Sequence, residues 1–172
     1  MDFLDPREII RKLSLKETMV AADFGSGSGG WALPLARKLP KGKIYAIDLS
    51  SHPLSVLQSK ATAEKIFNVQ TVHSDVESQK GSTLSSNSLN LVLMTNLLFE
   101  AKDKKKVLQE GKRVLKEGGT LLVADWKKDS PVGPGEGKIS REELKKMAEE
   151  EGLKFSEEIE AGAYHYCLLF LK

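Results

Sequence analysis

The stretch Asp23-Phe24-Gly25-Ser26-Gly27-Ser28-Gly29-Gly30 decides how the rest of the chain is read. It is entered from a compact apolar run, Met19 to Phe24, whose length and flanks suit a buried strand. It is left through Trp31 to Leu39, where Leu35 and Leu39 stand i, i+4 on one helical face. Glycines between a strand and a helix let the backbone approach a bound group closely and turn where side chains forbid it. A Walker-type phosphate loop is excluded, because no Gly-Lys-Ser/Thr follows. Gly25, Gly27 and Gly30 do satisfy the Gly-x-Gly-x-x-Gly spacing of a dinucleotide site. Three features argue for another ligand. Asp23 stands two residues before Gly25, where a carboxylate suits a cationic group better than a pyrophosphate. No second nucleotide-binding half follows, and no Tyr-x-x-x-Lys pair occurs: Tyr45, Tyr164 and Tyr166 are followed four residues on by Leu49, Leu168 and Phe170. The chain also closes on an antiparallel hairpin.

Outward from the glycine loop, strand and helix alternate. Asp5-Pro6-Arg7-Glu8 opens a short helix, with Asp5 as cap, Pro6 in the first turn and Glu8 at the reciprocal capping position. Strands are expected at Lys43 to Ile47, Val69 to His73, Leu89 to Met94 and Thr120 to Trp126. Helices are expected from Pro53 to about Ile66 and from Asp103 to Leu115, the latter broken by Gly118-Gly119. Lys80 to Ser88 and Lys127 to Ile139 read as loops. Ser140-Arg141-Glu142-Glu143 is a capping box whose helix ends at Gly152. Leu153 to Glu160 and Ala163 to Leu171 form the closing hairpin. The alternation implies an α/β fold with a mostly parallel sheet and helices on both faces. Ligands in such sheets bind at the carboxyl ends of the strands. The loops after Phe24, Ile47, His73, Met94 and Trp126 should therefore share one rim.

Composition narrows the function classes. The chain has 172 residues, which suits one domain able to bury its own core. Lys and Arg number 26 against 24 Asp and Glu, so a nucleic-acid-coating surface is not expected. A single cysteine, Cys167, excludes an internal disulfide framework and any metal site built from several thiolates. No metal centre is expected. The apolar runs fall far short of the roughly 20 residues of a membrane span, and Met1-Asp2-Phe3 opens no signal peptide. The expectation is a cytoplasmic protein with a small-molecule partner and no membrane or nucleic-acid role; a homodimer stays open.

The pattern Asp23-x-Gly25-x-Gly27-x-Gly29 resembles the glycine motif of class I S-adenosylmethionine-dependent methyltransferases. Asp48, closing Ile44-Tyr45-Ala46-Ile47-Asp48, matches the family's ribose-binding acid, with Leu49 beside it. Asp75 matches the acid that contacts the adenine amino group, and Val76 would pack on the ring. Leu89 to Asn96 and Val114 to Leu121 resemble two further family segments, and the hairpin matches the last two strands. The likeness runs from about Met19 to the end and is nearest to small, quinone-biosynthesis-like prokaryotic members. It implies a Rossmann-like, doubly wound seven-stranded sheet of order 3-2-1-4-5-7-6 in one domain, residues 1–172. Residues 1–18 would be a helical N-terminal segment and 127–139 an active-site loop. It implies S-adenosylmethionine as cofactor and S-adenosylhomocysteine as product. The implied cofactor residues are Asp23, Gly25, Ser26, Gly27, Gly29, Asp48, Leu49, Asp75, Val76 and Asn96.

The acceptor is less legible. After the fourth strand the chain reads Thr95-Asn96-Leu97-Leu98-Phe99, without the Asn/Asp-Pro-Pro-aromatic motif of amino-methylating DNA enzymes. No Pro-Cys nucleophile is present, since Cys167 follows Tyr166. A small-molecule acceptor remains by elimination. Asn96, Asp125, Tyr164 and His165 are the acceptor-side candidates, and no catalytic residue is assigned. Strand alternation sends Tyr164 and His165 to opposite faces. Trp31 suits the pocket or the core. The basic run Lys102 to Lys106, with Lys112, Arg113 and Lys116, suits a solvated helix face. Two alternatives stay open: a non-catalytic module that binds the cofactor or supports a partner, and a nicotinamide-dependent oxidoreductase.

Overall fold

A computed structural model describes residues 3–172. Seven strands, β1 (Val20–Phe24), β2 (Lys43–Asp48), β3 (Val69–His73), β4 (Leu89–Thr95), β5 (Leu115–Trp126), β6 (Lys154–Ile159) and β7 (His165–Leu171), form one sheet. Its order is β3-β2-β1-β4-β5-β7-β6, as the family likeness implied. Pairing from β3 through β5 is parallel, and β7 runs antiparallel to both β5 and β6. Five helices pack on the two faces: α1 (Pro6–Lys12), α2 (Ala32–Lys38), α3 (Ser51–Ala63), α4 (Lys104–Val114) and α5 (Arg141–Glu150). One core lies under α1 to α3 and holds Ala21, Leu93, Ala124 and Cys167; the other lies under α4 and α5 and holds Ala22, Val92, Val123 and Tyr166. Neighbouring strand residues thus alternate between two buried faces, which is why these strands read as continuous apolar runs.

Local chemistry explains the boundaries. Asp5 caps α1 by accepting the Arg7 amide at 2.8 Å, but Glu8 pairs with Arg11 instead of reaching back to the cap. Ser140 and Glu143 form both halves of the expected capping box on α5. The glycine pair at Gly118-Gly119 is where expectation and structure part. The chain enters β5 already at Leu115, opposite Leu89, and rejoins β4 at Thr120, opposite Leu91. Gly118 takes φ +73°, and reciprocal bonds to Lys172 keep both glycines in the sheet. The pair therefore kinks a strand instead of separating a helix from one. The last strand begins at His165, not Ala163, so Tyr164 lies just outside it. No helix among the described residues is long and apolar enough to cross a membrane.

Candidate functional site

The glycine loop folds back over the carboxyl end of β2. The Gly25 and Ser26 amides both donate to the Ile47 carbonyl, at 2.8 and 2.9 Å. The Gly27 amide donates to Asp48 Oδ2 at 2.8 Å, while Ser50 donates to Oδ1 at 2.8 Å. Gly27 sits at φ +50° with open space where a side chain would stand, so its conformation and not crowding calls for glycine. At Gly29 both apply: φ is +91°, and a Cβ would lie 2.9 Å from Leu57. The loop is thereby clamped beside the acid that ends β2.

Across from this clamp is a cavity of about 390 Å³, walled by Gly25, Gly27, Asp48, Asp75, Asn96 and Leu97 among others. Leu49 and Val76 also line it. Leu49 is 69% exposed, a large apolar side chain held at the lip by its own carbonyl, which His73 Nε2 contacts at 2.8 Å. Val76 is buried and belongs to the α4/α5-side core. Asp75 Oδ1 accepts the Glu77 amide at 2.8 Å, a tight turn that leaves Oδ2 for a ligand. Asn96 takes φ +50°, and its Oδ1 is buried without a partner. A strained residue carrying an unsatisfied acceptor beside a cavity is a common mark of a binding site.

Asp23, the last residue but one of β1, lies beneath the start of α2, 1% exposed, with neither carboxylate oxygen hydrogen-bonded. Burial pushes its pKa up to about 8; the nearby Ala32 amide pulls it down and the Asp48 charge raises it further. Ser26 Oγ is likewise buried and unpartnered. A larger, shallower groove of about 820 Å³ lies between α3 and β3 and holds none of the candidate residues.

The acceptor-side candidates separate. Asn96 lines the cavity beside the glycine loop. Asp125 is 2% exposed and saturated by backbone: Leu98 and Phe99 donate to Oδ2 at 2.9 and 3.3 Å, and Trp126 to Oδ1 at 2.8 Å. It organises the turn after β4. Burial raises its pKa to about 6, against the pull of those amides and of Lys104. Tyr164 packs on Phe3 at 5.1 Å between ring centroids, away from that turn. His165 is 3% exposed, lies 4.0 Å from the Trp126 ring and has no partner on either nitrogen. Trp31 belongs to the core under α1 to α3.

Two features were missed by sequence reasoning. Glu77 Oε2 accepts the Asp103 amide at 2.6 Å and ties the turn after β3 to α4. Glu110 accepts from the Ser82 amide at 2.7 Å and pairs with Arg113 at 2.7 Å; Arg113 also donates to the Leu84 carbonyl at 2.7 Å. Part of the basic face is therefore a brace for the loop at 80–88. Burial pulls the Glu110 carboxyl upward, but Arg113 and Ser82 hold it below its ordinary value.

A methyltransferase-domain family model matches residues 21–119. The demethylmenaquinone methyltransferase of Geobacillus stearothermophilus is 29% identical over 128 residues, 74% of this chain and 53% of that protein. The chain spans about half the length of the curated relatives it matches. A SAM-dependent methyltransferase from Aquifex aeolicus superposes with a TM-score of 0.88 at 27% identity, covering 98% of this chain and 90% of that one. The [4+2]-cyclase SpnF superposes with a TM-score of 0.84 at 18% identity, covering 96% and 79%, a likeness of fold alone.

Proposed function

The chain belongs to the class I S-adenosylmethionine-dependent methyltransferase family, and on that premise we propose that it methylates a small molecule of the quinone class for which its relatives are named. One observation carries the proposal. Asp48, clamped to the glycine loop, lines one cavity together with Asp75 and with Asn96, whose Oδ1 is buried without a partner. The donor set fits the cofactor. A carboxylate has about four acceptor sites, so Asp48 keeps capacity for a ribose diol beside its two amide donors. Asp75 Oδ2 suits an adenine amino group, and Leu49 and Val76 offer apolar contact to its ring. Gly25, Ser26, Gly27 and Gly29 bring backbone and hydroxyl groups to the amino-acid end, and Asp23 and Asn96 supply acceptors for its ammonium. Bound there, S-adenosylmethionine supplies an electrophilic methyl group on a sulfonium leaving group. The chain's own contribution is then orientation and exclusion of water, which are worth roughly 7–11 kcal/mol in favourable cases. The loop at 127–139 covers the acceptor side. A nucleic-acid acceptor is disfavoured by pairing of the basic face: Lys105 with Glu150, Lys106 with Asp103, Arg113 with Glu110.

Calorimetric titration with S-adenosylmethionine, S-adenosylhomocysteine and NAD tests this. Micromolar binding of the first two, lost in Asp48→Ala, is expected. NAD binding alone would restore the oxidoreductase alternative; cofactor binding without methyl transfer to any quinol would favour the non-catalytic one.

A further inference from the structure

We propose that Trp126 and His165 form the acceptor subsite: Trp126 offers the stacking surface for a planar ring, and His165 holds a hydroxyl of that ring and takes its proton. The inference rests on the methyl-transfer reading and says where the acceptor lies.

Register places the two residues. Trp126 ends β5 directly opposite His165, the first residue of β7. Thr95, at the end of β4, pairs with Ala124. Leu93, Ala124 and Cys167 all face the core under α1 to α3. Two-residue alternation then puts Asp23, Thr95, Trp126 and His165 on that same face in successive rows: Asp23 level with Leu93, Thr95 level with Ala124, and the Trp126–His165 pair one row further toward the rim. At about 4.8 Å between strands and about 3.3 Å per residue along them, Trp126 stands about 8 Å and His165 about 12 Å from Thr95 at the end of β4. A ring system spans that interval, so a hydroxyl held at His165 leaves the ring's other end toward Thr95 and Leu97, which line the cavity described above.

Two polar side chains on this face are unusual for a folded interior. Both His165 nitrogens and both Asp23 oxygens are buried and unpartnered. Each such group costs about 1–3 kcal/mol unless a ligand completes it. Burial, with Lys127 nearby, lowers the His165 pKa to about 4, so the imidazole is neutral and keeps a free lone pair at neutral pH.

The roof is a backbone without a side chain. Gly133, at φ +93°, lies on the Trp126 ring so closely that a Cβ would stand 2.5 Å from Cε3. Gly137, at φ +80°, lies on the Phe99 carbonyl, where a Cβ would stand 2.0 Å away. This loop is held by few bonds: Lys128 to Glu143 at 2.8 Å, on the surface, and Lys138 to the Ser130 carbonyl at 3.0 Å. Lifting it bares the indole face. Its base stays fixed, because Lys127 donates to the Gly162 and Ala163 carbonyls at 3.1 and 2.8 Å.

The proton balance closes. As the acceptor oxygen, or the carbon conjugated to it, forms its bond to the methyl carbon, the carbon–sulfur bond breaks and sulfur keeps the pair. His165 receives the hydroxyl proton and releases it to solvent; where carbon is the nucleophile, the proton on the methylated carbon then passes to the oxygen and restores the aromatic hydroxyl.

The test uses the full chain with S-adenosylhomocysteine, 4-nitrophenol as a planar hydroxyl probe and nitrobenzene as its hydroxyl-free control. Calorimetry is expected to show nitrophenol binding about tenfold tighter than nitrobenzene, a preference erased by His165→Phe with S-adenosylhomocysteine affinity unchanged. Nitrogen-15 spectra of the histidine rings supply a measurement that needs no folded variant: nitrophenol should shift one ring and spare the exposed His52 and His73. Gly133→Ala should weaken both probes severalfold and leave S-adenosylhomocysteine alone. Equal binding of the two probes, an unchanged preference in His165→Phe, or unshifted ring nitrogens overturns the subsite. Absence of S-adenosylhomocysteine binding overturns instead the methyl-transfer reading on which it rests.

Discussion

Two aspartates, each one residue from the carboxyl end of its strand, stand on the same rim and live differently. Asp23, near the end of β1, has no hydrogen bond on either oxygen. Asp125, near the end of β5, accepts from three backbone amides. Both are almost fully buried, yet burial lifts Asp23 to about 8 and Asp125 only to about 6. Burial penalises the charge at both sites; three oriented amides offset it at Asp125, against the pull of the Ala32 amide alone at Asp23. Asp125 is therefore spent on structure, holding the turn at Leu98 and Phe99. Asp23 is left incomplete, as a group awaiting a ligand would be.

The largest expected effect comes from breaking the satisfied site. Asp125→Ala strands three amides at the rim and should destabilise the protein by about 3 kcal/mol in urea unfolding. Asp125→Asn, which retains a carbonyl acceptor, should recover part of that.

Breaking the unsatisfied site should do the reverse. Native Asp23 keeps its proton up to about pH 8, whereas the unfolded chain releases it near the ordinary 3.8. Stability from this group is complete below the unfolded value and is lost as pH rises through the folded one. Without cofactor, Asp23→Asn should gain roughly 2 kcal/mol over wild type at pH about 9 and little at pH about 4. The same variant should bind S-adenosylmethionine roughly tenfold more weakly. Equal pH slopes in variant and wild type would erase the contrast between the two aspartates.

His165 sharpens it from the basic side. Its folded pKa of about 4 lies below the ordinary 6.5, so the unfolded chain takes up a proton that the native protein refuses. Stability falls as pH drops between those values, and His165→Phe should flatten that limb by roughly 1 kcal/mol. The smallest effect on stability is expected from deleting part of the 127–139 loop. There, acceptor affinity should fall at least tenfold more than cofactor affinity; equal loss of both would show that the loop serves the whole rim.

Much of this was legible locally. The glycine loop and the strand ends were found because such features announce themselves over a few residues; that Asp48, Asp75 and Asn96 matter among the strand-end residues came from the family likeness. The structure gathers Asp48, Asp75 and Asn96 around one cavity. The kink at Gly118 was misread, because a glycine pair ends a helix or bends a strand by the same freedom of φ. Asp125 was found as a rim residue, but its three amide donors were not. Two of them sit on a turn 26 and 27 residues earlier in the chain. The Glu110 brace was hidden for the same reason, since its Ser82 donor lies 28 residues away.

The sequence by itself determined the order of elements, the place of the rim and the acids that stand on it, since periodicity, capping and glycine spacing are properties of neighbours along the chain. Tertiary structure alone decided which of those acids is completed and which is left open, and that His165 meets Trp126. Those outcomes depend on strand register and on exclusion of water, and both exist only once distant segments have packed.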